Sequence, residues 1–329
     1  MKNYVYKGTG RTVDPKAAKD YIRDGYLFAP RTVLKGCTKS SSSLLPVPSK
    51  DLAQISVLQK ILESAMGRMN GSRRTVMFSG GFDSTLMVLL AQRAGAQVTA
   101  VTVQFDDFNL HTVEGALQTA RTLGVPHHVL HVKAVEFLSA FEALAGLTDE
   151  PILDLDLAVV YAALKKFDTA FGDTFISGMG SDQWFGDMAL EETPGGSQGK
   201  LAWAIVDEAA HHQVAQAHGC KFVFPFLSES MLNMSQRIPA ALKKDKRMLR
   251  ALAAANTIPN RGARSEGQIP SVMRHALVKT YGGRAWPRPI DGRGPVNDQT
   301  LRQIVLGLWL EKVKNKAQVY EQVSFHPQR

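Results

Sequence analysis

An alternation of apolar strands with helical segments between residues 73 and 178 constrains this chain more than any other feature of its sequence. The runs TVMF, VTAVTVQF, HHVLHV and TFISG are rich in β-branched and apolar residues, and segments with helical apolar spacing separate them. Apolar strands that alternate with helices are typical of a parallel sheet covered by helices on both faces. The sequence therefore predicts a doubly wound α/β fold with a mostly parallel sheet.

Segments of different character flank this predicted core. Residues 36–50 form a polar stretch with turn residues at its end, and Asp51 is a suitable N-cap for a helix that runs to about Gly67. Beyond about residue 200 the sequence predicts helices joined by loops that contain Pro and Gly, without clear strand alternation. We expect three parts: a linker-like segment 1–50, an α/β core 51–190 and a mainly helical region 191–329.

Composition limits the classes of protein that fit. The 329 residues can bury a sizeable core, and 44% hydrophobic with 21% charged residues is ordinary for a soluble globular protein. No apolar run reaches the roughly 18–20 residues of a membrane span, and the N-terminus lacks a signal-peptide stretch, so we expect a cytoplasmic protein. Cys37 and Cys220 lack CxxC spacing, which argues against a disulfide framework or a zinc site.

The balance of charge is positive, because 39 Lys and Arg outnumber 30 Asp and Glu and give a net charge of +9. Such a charge attracts anions, which include nucleotides, acidic substrates and nucleic acids. No single run of basic residues is dense, so a solvated basic surface is an equally good interpretation. Charge alone therefore leaves the partner open.

The segment VMFSGGFDSTLMVLL, residues 76–90, places a small polar turn between a predicted strand and a predicted helix. Parallel sheets bind ligands at the carboxyl ends of their strands, where a helix N-terminus offers N–H groups and a positive dipole end. Two adjacent glycines let the backbone approach phosphate oxygens, and three hydroxyls add donors. A tight βα turn with helix caps is the structural alternative. The predicted phosphate-binding residues are Ser79, Gly80, Gly81, Ser84 and Thr85.

A carboxylate is the unexpected member of this turn, because a carboxylate that faces phosphates repels them unless a divalent cation lies between. We therefore expect Asp83 to bind Mg²⁺. The stretch FISGMGSDQWFGD, residues 175–187, repeats the pattern, since a strand-like run again ends in a glycine-rich turn with a carboxylate. Asp182 in that turn is expected to bind the same ion.

Both loops resemble a known family. The first lacks the GxxxxGK[ST] of a Walker A loop and resembles the SGGxDS PP-loop of ATP pyrophosphatases, which cleave ATP to leave AMP on the substrate and release pyrophosphate. The second resembles the SGxGxDExFGG signature of the asparagine synthetase synthetase domain, shared with β-lactam synthetases and lasso-peptide cyclases. CKFVFPFLSESML resembles that family's ExRxPFLD segment, and KKDKRMLRALAAANTIPNR resembles the K-x-x-LR stretch that follows it. The similarity extends over residues 20–280.

The resemblance implies a five-stranded sheet of the adenine nucleotide α-hydrolase-like type with a helical C-terminal part, and it implies ATP and Mg²⁺ as cofactors. Asp83 and Asp182 match the magnesium carboxylates, and Gly178 matches a position near AMP. We include Val103, in the run VTAVTVQF, among the nucleotide-binding residues. Asp207 stands 18 residues before Pro225, the family's spacing for a carboxylate in the acceptor-side pocket; an exposed acid on a helix is the alternative.

The chain also departs from the family. Met179 occupies the position of a glutamate in asparagine synthetases and of a tyrosine in β-lactam synthetases, and Met179 cannot move a proton. The family's RxK lysine has no clear counterpart, so we expect Arg261 or Arg264 to substitute for it. Glutamine-dependent members begin with a catalytic cysteine, whereas this chain begins Met1-Lys2. We therefore expect ammonia or an amine to come from elsewhere, for example from a separate glutaminase.

These features predict a ligase that activates a small carboxylic acid as an acyl-adenylate, releases pyrophosphate and then lets ammonia or an amine displace AMP. Asparagine synthesis, a specialised amidotransferase and a cyclising ligase all remain open. A PP-loop enzyme that modifies tRNA or DNA bases is a second hypothesis, which the positive charge favours and the lack of paired cysteines disfavours. A non-catalytic ATP-binding homologue is the third.

Overall fold

The computed structural model describes most of the chain, and contacts between its residues group it into two compact units. The terminal unit comprises Met1–Ser42, Leu138–Ala158 and Ile269–Arg329, and the sheet unit comprises Ser43–Phe137 and Val159–Gln268. The three-part division expected along the sequence stays a prediction. The described residues are 5–7, 12–24, 27, 31–40, 55–67, 71–168, 172–185, 196–235, 237–238, 246–255, 271–290 and 296–316.

Strands and helices alternate through most of the sheet unit. The strands are β1 (Val5–Lys7), β2 (Thr38–Ser40), β3 (Arg73–Met77), β4 (Gln97–Phe105), β5 (His127–Val132), β6 (Thr174–Ile176) and β7 (Lys221–Val223). The helices are α1 (Pro15–Asp24), α2 (Ile55–Met66), α3 (Phe82–Arg93), α4 (Leu110–Leu123), α5 (Ala134–Leu147), α6 (Leu155–Leu164), α7 (Ser181–Phe185), α8 (Gly196–Ala217), α9 (Glu229–Ser235), α10 (Arg247–Ala255), α11 (Ser271–Tyr281) and α12 (Asp298–Lys316).

The five strands of the sheet unit are all parallel and lie in the order β5-β4-β3-β6-β7. From β3 the chain builds outward through β4 to β5 and then returns to the other side of β3 to form β6 and β7. The direction of winding therefore changes between β3 and β6. Open parallel sheets bind ligands in the crevice at such a switch point, and the loops after β3 and β6 both begin there.

The α/β fold class is confirmed, and so is the helix expected to run to about Gly67, which is α2; its predicted N-cap, Asp51, lies outside the described residues. The expectation of no clear strand alternation beyond residue 200 is wrong, because β7 pairs with β6 as the fifth strand. A three-residue strand is too short to show a period of two. The expected linker 36–50 also contains β2, which pairs with β1, while residues 41–50 are not described.

Helix α3 follows the first glycine-rich loop and is held on several sides. Seven of its twelve residues are buried, so it lacks the single apolar stripe of a surface helix. Helix α2 packs against α3 and presents Leu58 and Leu62, four residues apart and fully buried, to the same core. The start of α3 and the loop before it are therefore held in place by the packing of α3 in the core.

The terminal unit is held by polar contacts of two large side chains. Arg284 donates hydrogen bonds to Glu142 and Glu311, and its hydrogen bond to Glu142 holds the pKa of that carboxyl below its usual value. Trp309 Nε1 donates to the carbonyl of Thr148 at 3.0 Å.

No helix in the described part of the chain combines the length and apolar character that a membrane crossing requires.

A buried hydroxyl ties the strands together below the first loop. Thr102 Oγ1 donates to the carbonyl of Phe78, the residue before Ser79, and lies 2.7 Å from His127 Nε2. Because Thr102→Val leaves that buried carbonyl without this donor, we expect it to lower the free energy of unfolding by about 1–3 kcal/mol in urea denaturation.

Thr122→Val provides the matched control, since the Thr122 hydroxyl is exposed and bonds to a carbonyl of its own helix at 3.0 Å. Its free energy of unfolding is expected to change by less than about 0.5 kcal/mol. Equal losses in the two variants would contradict the role assigned to Thr102.

Candidate active site

The two glycine-rich loops meet at the switch point of the sheet. A Cβ added to Gly178, which follows β6, would lie 3.1 Å from the carbonyl carbon and from the Cβ of Asp83. Real Cβ contacts are rarely that close, so a glycine allows the second loop to pass directly beside the first. The expected site residues Gly178 and Asp83 are therefore neighbours.

The first loop also needs a glycine at position 80. Gly80 has a φ of 71°, in the left-handed region that residues with a side chain rarely adopt. A Cβ on Gly80 would lie 2.6 Å from Cα of Ala116 in α4, which no side chain can do without moving backbone. The loop thus packs backbone against backbone on α4.

Two hydroxyls hold this loop in shape. Ser84 Oγ donates to the carbonyl of Gly81 at 3.1 Å and accepts from the backbone N–H of Ser79 at 3.2 Å. Ser79 Oγ accepts from the N–H of Gly81 at 3.3 Å and lies 3.2 Å from Ser84 Oγ. The geometry gives both serines a part in forming the loop, and their direct contact with phosphate stays a prediction.

Helix α3 begins without a side-chain cap. Gly81 is its N-cap residue in an extended conformation, and the N–H of Thr85 makes the helical hydrogen bond to the carbonyl of Gly81 at 3.0 Å. Thr85 is buried, and the N–H groups of the first helical turn stand at the open end of the helix. Such uncapped amides and the helix dipole favour an anion at this position.

Three charged side chains converge beside this helix end. Lys246 Nζ lies 2.6 Å from Asp83 Oδ2 and 2.7 Å from Asp182 Oδ1, so one ammonium joins a carboxylate from each loop. Ser181 Oγ lies 3.4 Å from the same nitrogen. Asp83 and Lys246 keep about a fifth of their side-chain surface exposed, whereas 61% of Asp182 is exposed. Two carboxylates share one ammonium, so negative charge is in excess.

The pKa shifts follow from this arrangement. Burial raises the pKa of Asp83; the ion pair with Lys246 opposes that rise, and the like charge of Asp182 adds to it. Burial alone would lower the pKa of Lys246, but its two carboxylate partners outweigh burial and hold the pKa above its usual value. Lys246 therefore stays protonated at neutral pH and provides a permanent cation to the site.

The residues present fit a divalent cation. Asp83 Oδ1 is buried and has no hydrogen-bond partner among the described residues, while Oδ2 is paired with Lys246. Carboxylate oxygens are the ligands that Mg²⁺ prefers, and the excess negative charge favours a cation. Asp83 and Asp182 could both reach such an ion, as expected from the sequence, although their binding of a metal stays a prediction.

The second loop is fixed by the segment that follows β7. Trp184 Nε1 donates to the carbonyl of Phe226 at 2.9 Å, and the ring of the buried Phe185 packs on that of Phe226. Within the loop, the N–H of Met179 donates to Ser177 Oγ at 3.2 Å. These contacts set the position from which Asp182 projects.

The other predicted site residues have mixed outcomes. Val103 lies in the carboxyl half of β4, and its carbonyl accepts a hydrogen bond from Asn109 Nδ2 at 2.8 Å. Asp207 lies in α8 and is only 3% exposed, so the alternative of an exposed acid is wrong. Its Oδ1 lies 3.3 Å from His211 Nδ1. Arg261 and Arg264 lie outside the described residues.

Lys246 is not among the site residues expected from the sequence. The lysine lies just before α10 and matches the first position of the K-x-x-LR stretch, which was the available signal. The structure provides this cation from a segment that lies 163 positions beyond Asp83 in the chain.

A five-stranded parallel sheet, with two acid-bearing glycine-rich loops at its switch point, is an α/β architecture that binds its ligand at the carboxyl ends of the strands. Residues 57–205 match the family model described as asparagine synthase. These residues, just under half of the chain, are therefore similar to asparagine synthase domains.

Curated relatives are similar to this chain over part of their length. A putative glutamine-hydrolyzing asparagine synthetase of Mycobacterium bovis is 24% identical over 213 residues, which are 57% of this chain and 32% of the relative. The chain thus spans about a third of that protein. A tRNA-specific 2-thiouridylase of Xanthobacter autotrophicus is 32% identical over 122 residues, which are 32% of this chain and 31% of the relative.

Among solved structures, the NH3-dependent NAD synthetase of Campylobacter jejuni is similar with a TM-score of 0.34 and 16% identity. The similarity covers 70% of this chain and 85% of that one. It is too distant to bear on function, so the assignment rests on the family match.

The close approach of Gly80 to α4 gives a testable expectation. Gly80→Ala should lower the free energy of unfolding by about 2–4 kcal/mol, because the variant combines a left-handed φ with a backbone clash. Gly115→Ala, one position before Ala116 and with open space for a Cβ, should be neutral or stabilise by up to about 1 kcal/mol. Guanidinium denaturation measures both, and a loss at Gly115 equal to that at Gly80 would contradict the geometry.

Proposed function

We propose that this protein is an ATP-dependent ligase that activates a carboxylic acid as an acyl-adenylate and then forms a carbon–nitrogen bond. The convergence of Asp83 and Asp182 on one cation, beside the uncapped start of α3, is the observation that carries the proposal. The match of residues 57–205 to the asparagine synthase family model and the similarity to a putative asparagine synthetase support it.

In the first half-reaction, a carboxylate oxygen of the substrate attacks the α-phosphorus of ATP. The bond from that phosphorus to the oxygen bridging to the β-phosphate breaks, and pyrophosphate leaves with the electron pair. The backbone N–H groups at the start of α3 and the ammonium of Lys246 would hold the pyrophosphate oxygens. Mg²⁺ held by Asp83 and Asp182 would neutralise the charge that develops on the leaving group.

In the second half-reaction, ammonia or an amine attacks the acyl carbon, the bond from that carbon to the AMP oxygen breaks, and the nitrogen loses a proton. Met179 cannot accept that proton, so another group or the solvent must. We propose the buried Asp207 as part of the acceptor-side pocket. Arg261 or Arg264 remains our candidate for a cation near the acyl-adenylate.

The substrates and partners are part of the proposal. Aspartate is the acid that the asparagine synthetase relative suggests, and the loss of a proton-moving side chain at Met179 favours a specialised amidotransferase or cyclising ligase equally. A separate glutaminase is one source of ammonia, and the cytoplasm is the proposed location.

Exchange of labelled pyrophosphate into ATP tests the first half-reaction. We expect exchange that depends on one acid within a panel of carboxylic acids, and at least about a 10²-fold loss in Asp83→Ala and Asp182→Asn, since metal-ion stabilisation is worth several kcal/mol. Glu136→Gln is the matched control, because Glu136 also pairs with a lysine at 2.6 Å but lies on α5. Formation of ADP instead of AMP would contradict the proposal.

Base modification of nucleic acid is the second candidate. The net charge of +9 and the local similarity to a tRNA-specific 2-thiouridylase favour it. If the chain acts on tRNA, a mobility shift should appear and weaken by orders of magnitude between about 50 and 200 mM salt. Absence of a mobility shift at low salt would exclude this candidate.

Binding of ATP with Mg²⁺, without pyrophosphate formation for any acid, would instead indicate a non-catalytic homologue.

A further inference from the structure

The ammonium of Lys246 occupies the position that a divalent cation needs. It lies 2.6 Å from Asp83 Oδ2 and 2.7 Å from Asp182 Oδ1, so one ammonium forms an ion pair with both carboxylates. A magnesium ion would approach the same oxygens to about 2.0–2.1 Å. The two cations cannot share that place, because steric overlap and repulsion between like charges both oppose it.

We propose that Lys246 is an internal counter-ion that closes the metal site of the ligand-free protein, so that the divalent cation enters together with a polyphosphate. The oxygens of the polyphosphate would then take over the ammonium and release both carboxylates to the metal. The inference rests on the proposed function, in which Asp83 and Asp182 are the metal ligands.

The backbone of Lys246 adopts an unfavourable conformation. Its φ is 53°, in the left-handed region that is unfavourable for a residue with a Cβ. The residue lies immediately before α10, where a change of φ and ψ redirects the side chain without unwinding the helix. The double ion pair holds this conformation, and loss of the pair removes that constraint.

Metal and polyphosphate binding are then coupled. Free Mg²⁺ must displace the ammonium without offering it a new partner, whereas the metal–polyphosphate complex brings that partner along. By linkage, the polyphosphate raises metal affinity by the same factor as the metal raises polyphosphate affinity. The ligand-free wild-type protein should therefore bind the free metal weakly.

Binding of Mn²⁺ alone to the 329-residue chain tests the inference, with the unbound ion measured by electron paramagnetic resonance. Mn²⁺ prefers the same oxygen ligands as Mg²⁺. We expect Lys246→Met to bind Mn²⁺ at least about tenfold more tightly than the wild type. Lys166→Met, which also removes a lysine paired at 2.6 Å, should leave the Mn²⁺ affinity unchanged and so controls for net charge.

Thermal unfolding provides a second readout that needs no activity. Without metal, Lys246→Met should have a lower Tm than the wild type, because two carboxylates lose their common counter-ion. Saturating Mn²⁺ should raise the Tm of the variant strongly and that of the wild type little. If Lys246→Met does not fold, Lys246→Gln carries the same expectations, since its amide can still donate to both carboxylates without charge.

The outcomes separate the inference from the proposed function. Equal Mn²⁺ affinities in wild type and Lys246→Met, or no binding in either, would overturn the inference. Asp182→Asn introduced into Lys246→Met should weaken Mn²⁺ binding at least about tenfold. Undiminished Mn²⁺ binding in that double variant would contradict the assignment of Asp182 as a metal ligand, and with it the proposed function.

Discussion

The parallel pairing of β3 with β6 is the interaction on which the rest of this structure depends. Only two register pairs join the strands, Thr75 with Phe175 and Val76 with Ile176, yet they place the two glycine-rich loops side by side. Without this pairing the two carboxylates would have no common partner. A short stretch of long-range hydrogen bonding thus converts two separate loops into one site.

The sequence predicts the structural elements that depend on the pattern of neighbouring residues. The strands β3, β4 and β5 and the polar loop after β3 follow from apolar runs and glycine content, and the second carboxylate follows because its loop repeats the first. The sequence does not reveal β7 or the position of Lys246. Both depend on contacts between distant segments, and a three-residue strand or a single lysine among several leaves no periodic signal.

Residues of similar chemistry in the first loop have different positions in the structure. Ser79 is exposed and Ser84 is buried, although both take part in the hydrogen bonds that close the turn. Thr85, in α3, is buried, so its side chain is shielded from solvent. The loop is therefore preformed by its own side chains, and preorganisation of this kind removes an ordering cost from ligand binding.

The contact between Gly80 and Ala116 limits which residues can replace either of them during evolution. Both positions are small because each backbone lies against the other, so a larger residue at one requires displacement of the other element. Ala116 has no polar side chain, yet its position in α4 is restricted by the loop. Residues 80 and 116 should therefore co-vary among related sequences. Within α4, the residue type should change more slowly at Ala116 than on the exposed face of the helix.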